Sequence, residues 1–143
     1  MKQVIATADA PPAIGPYAQG IRAGDMIFVS GQMPYNSRTR RIVTGGISEQ
    51  TEQVLSNIRA VIEEAGATMD DIVKITVFMK DLDEFDEMNR VYAIFFPSTD
   101  NPLATTLPPA RSTVEVARLP RDVQIEMDAI AVLTPRSLDF DIY

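Results

Sequence analysis

The chain has no cysteine and no histidine among its 143 residues. Without them there is no thiolate nucleophile, no Ser-His-Asp triad and none of the usual zinc ligand sets. Acid–base work falls to Glu, Asp, Tyr or Lys. No run of about 20 apolar residues is present to span a bilayer. The N-terminal Val4, Ile5 and Ala6 are interrupted by Thr7 and Asp9 before a signal-peptide core can form. The expectation is a soluble, cytoplasmic protein. Positive charge is scarce as well: 13 Lys and Arg stand against 20 Asp and Glu, a net charge of −7. An acidic surface repels phosphate backbones, and no basic stripe is present to argue for nucleic acid. The one local cluster, Arg38, Arg40 and Arg41, sits among turn residues and reads as a solvated hairpin loop.

What is present suits one domain, taken as residues 1–133 with a tail at 134–143. Residues 9–19 carry three prolines and a glycine and read as a shaped, irregular segment. Strands are expected at 19–23 and 25–31, turning at Gly24-Asp25. Ser48 is a candidate N-cap, and Val54, Leu55, Ile58, Val61, Ile62 and Ala65 then recur at helical spacing up to a capping Gly66. Residues 72–79 read as a strand. Asp83 can cap a second helix with Phe85, Met88, Tyr92, Phe95 and Phe96 on its apolar side, stopped by Pro97. A proline-rich loop at 97–109 leads to strands at 110–118 and 124–133, with 119–122 as the turn. The order β-β-α-β-α-β-β is an α+β arrangement with both helices on one sheet face. An apolar opposite face then implies self-association.

Strand alternation places Val114 and Val116 on one side of 110–118, and Arg111, Thr113 and Glu115 on the other, taken as the side away from the core. A guanidinium there can grip a carboxylate through two parallel hydrogen bonds. Spacing alone favours a surface salt bridge instead, for example with Glu115. Glu126, near Asp128 in an apolar strand, is either a base tuned by burial or an exposed strand residue. Tyr17 and Asn89 stand out only weakly by themselves.

AIGPYAQG at 13–20, VSGQMP at 29–34, and Gln53 with LSNI of the first helix resemble signatures of the RidA (YjgF) family. IVKITVFMKDLDEFDEMN at 72–89, PARSTVEVARLP at 109–120 and IEMDAIAV at 125–132 continue the series in the family's order. The resemblance implies a chorismate-mutase-like fold in a homotrimer with a barrel-like centre and three sites between subunits. It implies that Arg111 binds a substrate carboxylate, and that Glu126 positions and activates water. Tyr17, Ser30 and Gly31 would line the pocket, and Asn89, expected from the neighbouring subunit, would complete it. Thr113, where many relatives have Cys, would lie near the imine. The implied activity is hydrolysis of 2-imino or enamino acids to 2-keto acids and ammonia, without metal or organic cofactor. It implies a functional link to pyridoxal-phosphate dehydratases. The same family has carried the label of endoribonuclease and translation inhibitor, and a non-catalytic trimer binding a carboxylate metabolite is a further alternative.

Overall fold

A computed structural model describes residues 1–97, 103 and 107–134. Most of the loop 97–109, and the tail beyond Thr134, lie outside the described residues. The strands are β1 (Lys2–Ile5), β2 (Gly20–Ala23), β3 (Met26–Gln32), β4 (Tyr35–Asn36), β5 (Arg41–Ile42), β6 (Ile72–Met79), β7 (Ala110–Glu115) and β8 (Ile125–Val132); the helices are α1 (Ile47–Glu64) and α2 (Phe85–Phe95). Six strands form one mixed sheet in the order β1-β2-β3-β8-β6-β7, and β4 pairs with β5 in a separate hairpin. The α+β class and the helices on one face agree with the sequence reading. The Arg38–Arg41 cluster is the tip of the β4–β5 hairpin, where Arg40 has a φ of 58°.

The core lies between the sheet and the helices. From the sheet come Ile27, Val29, Ile75, Val77, Met79, Ile125 and Met127; from α1, Val54, Leu55, Ile58, Val61 and Ile62; from α2, Met88 and Tyr92. Strict alternation along β8 buries Ile125, Met127, Ala129 and Ala131 under the helices and turns Glu126, Asp128, Ile130 and Val132 to the other side. Register puts Phe28 opposite Ile130, Met26 opposite Val132, and Phe78 beside Val114 on that uncovered side. Phe28, Met26 and Val114 are each about 40% exposed.

Three sequence expectations are corrected. Strands 110–118 and 124–133 do not form a hairpin: β7 pairs parallel with β6, and β8 pairs antiparallel with both β6 and β3. The unit β6-α2-β7 is a crossover, which places β7 parallel beside β6 at the sheet edge. The following 3₁₀ turn, Pro120–Asp122, with φ of 60° at Arg121 and 55° at Asp122, returns the chain to the other side of β6. Ser48 does not cap α1. The helix starts after Gly46, whose N–H donates to Glu49 Oε2 at 2.8 Å, while Ser48 Oγ donates to Glu87 Oε1 of α2 at 2.7 Å. Asp83 is likewise inside the turn, and Asp81 is the cap, its carboxylate accepting from the Asp83 N–H at 2.9 Å. Gly66 does close α1 in the left-handed region, at φ 84°.

No helix among the described residues is long and apolar enough to cross a membrane. Ile58 is fully buried between α1 and the sheet. Ile58→Ala is expected to lower the unfolding free energy by about 2–5 kcal/mol, read as a lower denaturant midpoint at unchanged slope.

Candidate active site

Arg111 stands on the edge strand β7 opposite Ile75, so it projects toward the helix layer, not away from it as alternation alone suggested. The uncovered face carries Val114, so apolar side chains did not mark the core side here. Under α2 the guanidinium meets three residues spaced i, i+4, i+7 along the helix. Arg111 Nη1 donates to Asn89 Oδ1 at 2.7 Å; its Cζ lies 4.6 Å from the Tyr92 ring centroid and 5.5 Å from that of Phe85. Cations favour the faces of aromatic rings through the ring quadrupole. Glu115, the example partner of the salt-bridge reading, instead accepts from the Leu82 N–H at 3.1 Å. The one ion pair among the described residues joins Arg118 and Asp122. Among the described residues, the Arg111 guanidinium is therefore held by rings and an amide and meets no carboxylate. Thr113 follows on the same side of β7, and its buried hydroxyl has no hydrogen-bond partner among the described residues.

Glu126 belongs to a second cluster. It lines a pocket of about 500 Å³ with Tyr17, Ser30, Gly31, Met33 and Arg121. The pocket wall is the 9–19 segment, and Gln19 shapes it. Gln19 Oε1 accepts from the Thr7 N–H at 2.7 Å, and Nε2 donates to the Pro11 carbonyl at 2.7 Å and to the Thr7 carbonyl at 3.1 Å. Ser30 Oγ donates to the Ala18 carbonyl at 2.6 Å, fastening the segment to β3. Tyr17 is half exposed, and its hydroxyl accepts from the Ile14 N–H at 3.3 Å. Gly31 occupies the bulge where pairing of β3 with β8 shifts between Val29 and Gln32. The Glu126 carboxylate rests against its Cα, and a methyl group there would overlap Oε1. Burial, and next the charge of Asp128, push the Glu126 carboxyl above the ordinary carboxylate range.

The seven residues singled out in the sequence thus fall into two groups: Arg111, Thr113 and Asn89 in one, Glu126, Tyr17, Ser30 and Gly31 in the other. Asn89 shares a chain with Arg111. Arg111 is opposite Ile75 of β6 and Glu126 opposite Phe78, so the two side chains leave opposite faces of the sheet. Their Cα atoms are two strands and three residues apart, roughly 14 Å. A single chain does not bring them together. Sequence reasoning assigned Phe85 and Tyr92 only to the core and overlooked Gln19. The i, i+4, i+7 stripe on α2 was the available signal for the first two.

The sequence model of the Endoribonuclease L-PSP family matches residues 7–133, which include all seven of these residues. The chain belongs to this family, the RidA/YjgF family. A RutC family protein of Pyrococcus abyssi is 52% identical over 130 residues, covering 91% of this chain and 96% of the relative. The 2-iminobutanoate/2-iminopropanoate deaminase of Escherichia coli K12 is 51% identical over 132 residues, covering 92% and 98%. The crystal structure of E. coli TdcF with bound serine superposes with a TM-score of 0.82 at 45% identity, covering 92% of this chain and 99% of TdcF. The RidA/YjgF-family fold thus holds throughout the described sheet and both helices.

Because folding raises the Glu126 proton affinity, the folded state loses stability as pH rises from the ordinary carboxylate range through the raised value. Glu126→Gln is therefore expected to raise unfolding free energy at about pH 7 and to leave it unchanged well below the carboxylate range. In Gly31→Ala the displaced carboxyl should titrate closer to its ordinary value by ¹³C NMR. An unaltered titration in that variant would show that the contact with Gly31 does not set its environment.

Proposed function

We propose that this chain hydrolyses small 2-imino and enamino acids, 2-iminopropanoate and 2-iminobutanoate among them, to 2-keto acids and ammonia, as a homotrimer with sites between subunits. One observation carries the reading: an arginine held by an amide and two rings, and a half-buried glutamate lining a pocket, lie on opposite faces of one sheet. Two copies can place the Arg111 group of one against the Glu126 group of the next. The apolar uncovered face, with Phe28, Met26 and Val114, is the surface such an assembly would bury. Relatives about half identical to the chain carry the deaminase name, which supports the same reaction here.

In this reading the Arg111 donors not engaged by Asn89 receive the substrate carboxylate and orient the C=N carbon. Glu126 takes a proton from a water as its oxygen bonds to that carbon, and the C=N π electrons move to nitrogen. For an imine protonated on nitrogen the product is the amino alcohol. Glu126 returns its proton to the amino nitrogen and then takes the hydroxyl proton, so that the keto group forms as the C–N bond breaks and ammonia leaves. A base with affinity above that of an ordinary carboxylate is a better acceptor for the water proton. Thr113 keeps a hydroxyl beside the reacting carbon, Tyr17, Ser30 and Gly31 line the pocket, and no step calls for metal or organic cofactor. Enamines of this kind arise from pyridoxal-phosphate dehydratases, the functional partners this reading implies.

The test generates 2-iminobutanoate from threonine with a dehydratase, in the presence of semicarbazide as trap. Wild type is expected to suppress the semicarbazone; Arg111→Ala and Glu126→Gln are expected to reduce the rate by about 10²-fold or more. Binding of 2-oxobutanoate without turnover would favour a metabolite-binding trimer, and RNA cleavage lost in Arg111→Ala would favour the nuclease.

Mixing the two inactive variants under subunit exchange is the sharper measurement. In a cyclic assembly with random exchange, about a quarter of the sites receive both wild-type residues, so activity returns. Sites complete within one chain would give none. Phe28→Asp is expected to shift the sedimenting species toward monomer and to abolish turnover together.

A further inference from the structure

Tyr92 is the least explained residue of the Arg111 group. It is 6% exposed, and its hydroxyl is buried with no hydrogen-bond partner among the described residues. Its ring lies closer to the guanidinium than any other aromatic, 4.6 Å against 5.5 Å for Phe85. One turn further along the chain, the Phe96 ring packs against it with centroids 4.8 Å apart at an interplanar angle of 43°. Phe96 is itself 5% exposed, so Tyr92 cannot swing away from Arg111 without opening the core.

An arginine on an edge strand has four side-chain torsions, and one hydrogen bond to Asn89 leaves the guanidinium free to swivel about it. A buried ring packed against a second buried ring removes that freedom. We propose that Tyr92 is a positioning residue of this site: held by its contact with Phe96 and by burial, its ring sets the plane of the Arg111 guanidinium so that the donors not used by Asn89 meet a carboxylate edge-on. The phenol suits this task because burial pushes its ionisation up to about 12, against a smaller opposing pull from Arg111. It stays neutral and does not compete with an anion for the guanidinium, as an acidic neighbour would. The carboxylate of a 2-imino or 2-keto acid as the ligand rests on the reading above; the fixing of the guanidinium does not.

Tyr92→Leu and Tyr92→Phe, each checked for thermal unfolding, separate the ring from the hydroxyl. Calorimetric titration with 2-oxobutanoate reads the carboxylate grip without requiring turnover. Tyr92→Leu is expected to weaken it about tenfold, the scale of a desolvated cation–ring contact, and to raise KM for 2-iminobutanoate by a similar factor with kcat within about twofold. Tyr92→Phe should keep the affinity within about threefold of wild type. Resolved ¹⁵Nη resonances of Arg111, showing slow rotation in wild type, provide a reading even if Tyr92→Leu does not fold.

Wild-type affinity in Tyr92→Leu overturns the proposal, as does a loss confined to kcat with KM and affinity unchanged, the sign of a smaller folded fraction. Fast guanidinium rotation in wild type, or no binding of 2-oxobutanoate, overturns it as well. If wild type binds 2-oxobutanoate and Tyr92→Leu weakens it, but no imine is hydrolysed, the deaminase reading fails and this one stands.

Discussion

A β-strand sends successive side chains to opposite faces of its sheet, and in this chain the helices cover only one of them. Everything about the candidate site follows from that parity. On β6, Ile75 faces the helices and Phe78 does not, and these two positions mark the faces to which Arg111 and Glu126 belong. No change of rotamer carries either side chain through the sheet, so one chain holds two half-sites with different surroundings. One is a cation gripped by helix α2; the other is a carboxyl set in a pocket behind the proline-rich segment.

The two half-sites are built by different means. Among the described residues, the partners of Arg111 carry no charge: the Asn89 amide and the rings of Tyr92 and Phe85. A carboxylate in Asn89's place would form an ion pair, and an incoming anion would have to displace it. Glu126 is treated in the opposite way. Burial and the nearby Asp128 both disfavour its ionised form, and the absence of a side chain at Gly31 lets the carboxylate lie directly against backbone.

The same parity explains what the sequence showed and what it hid. Helical periodicity in 54–65 and strand alternation in 72–79 each bury a single stripe, so α1 and β6 were legible. The motif series located all seven candidate residues, because their types and spacing survive whatever the tertiary arrangement. The orientation of Arg111 was not legible. Val114 in β7 and Val116 just past its end suggest an apolar side, but here the uncovered face is apolar too, and hydrophobicity alone cannot distinguish a face under helices from a face awaiting another surface. The expected β7–β8 hairpin failed for a related reason: the short turn at 119–122 looks local, yet β6 already occupies the position beside β7. Ser48 and Asp83 are sound capping residues by type, but backbone geometry placed the caps two residues earlier in each case, at Gly46 for α1 and at Asp81 for the turn that leads into α2. Short β1 lacks the length for a strand pattern to emerge.

Assembly through the uncovered face, as proposed here, would couple stability to chemistry. Glu126 shares that face with Phe28, Ile130 and Val132, whose burial would drive such an association. Removing water from those apolar groups removes it from the neighbouring carboxyl as well, and further disfavours the ionised form. By linkage, association would then favour the protonated carboxyl, and its proton affinity would rise further once a neighbour is in place. The arginine brought in by that neighbour acts in the opposite sense, but a substrate carboxylate bound to it cancels most of the charge. A base tuned in this way is strongest with the substrate seated and the interface closed. An isolated chain would have a weaker base and no carboxylate grip beside it, so the apolar face and the acidic residue within it belong to a single design.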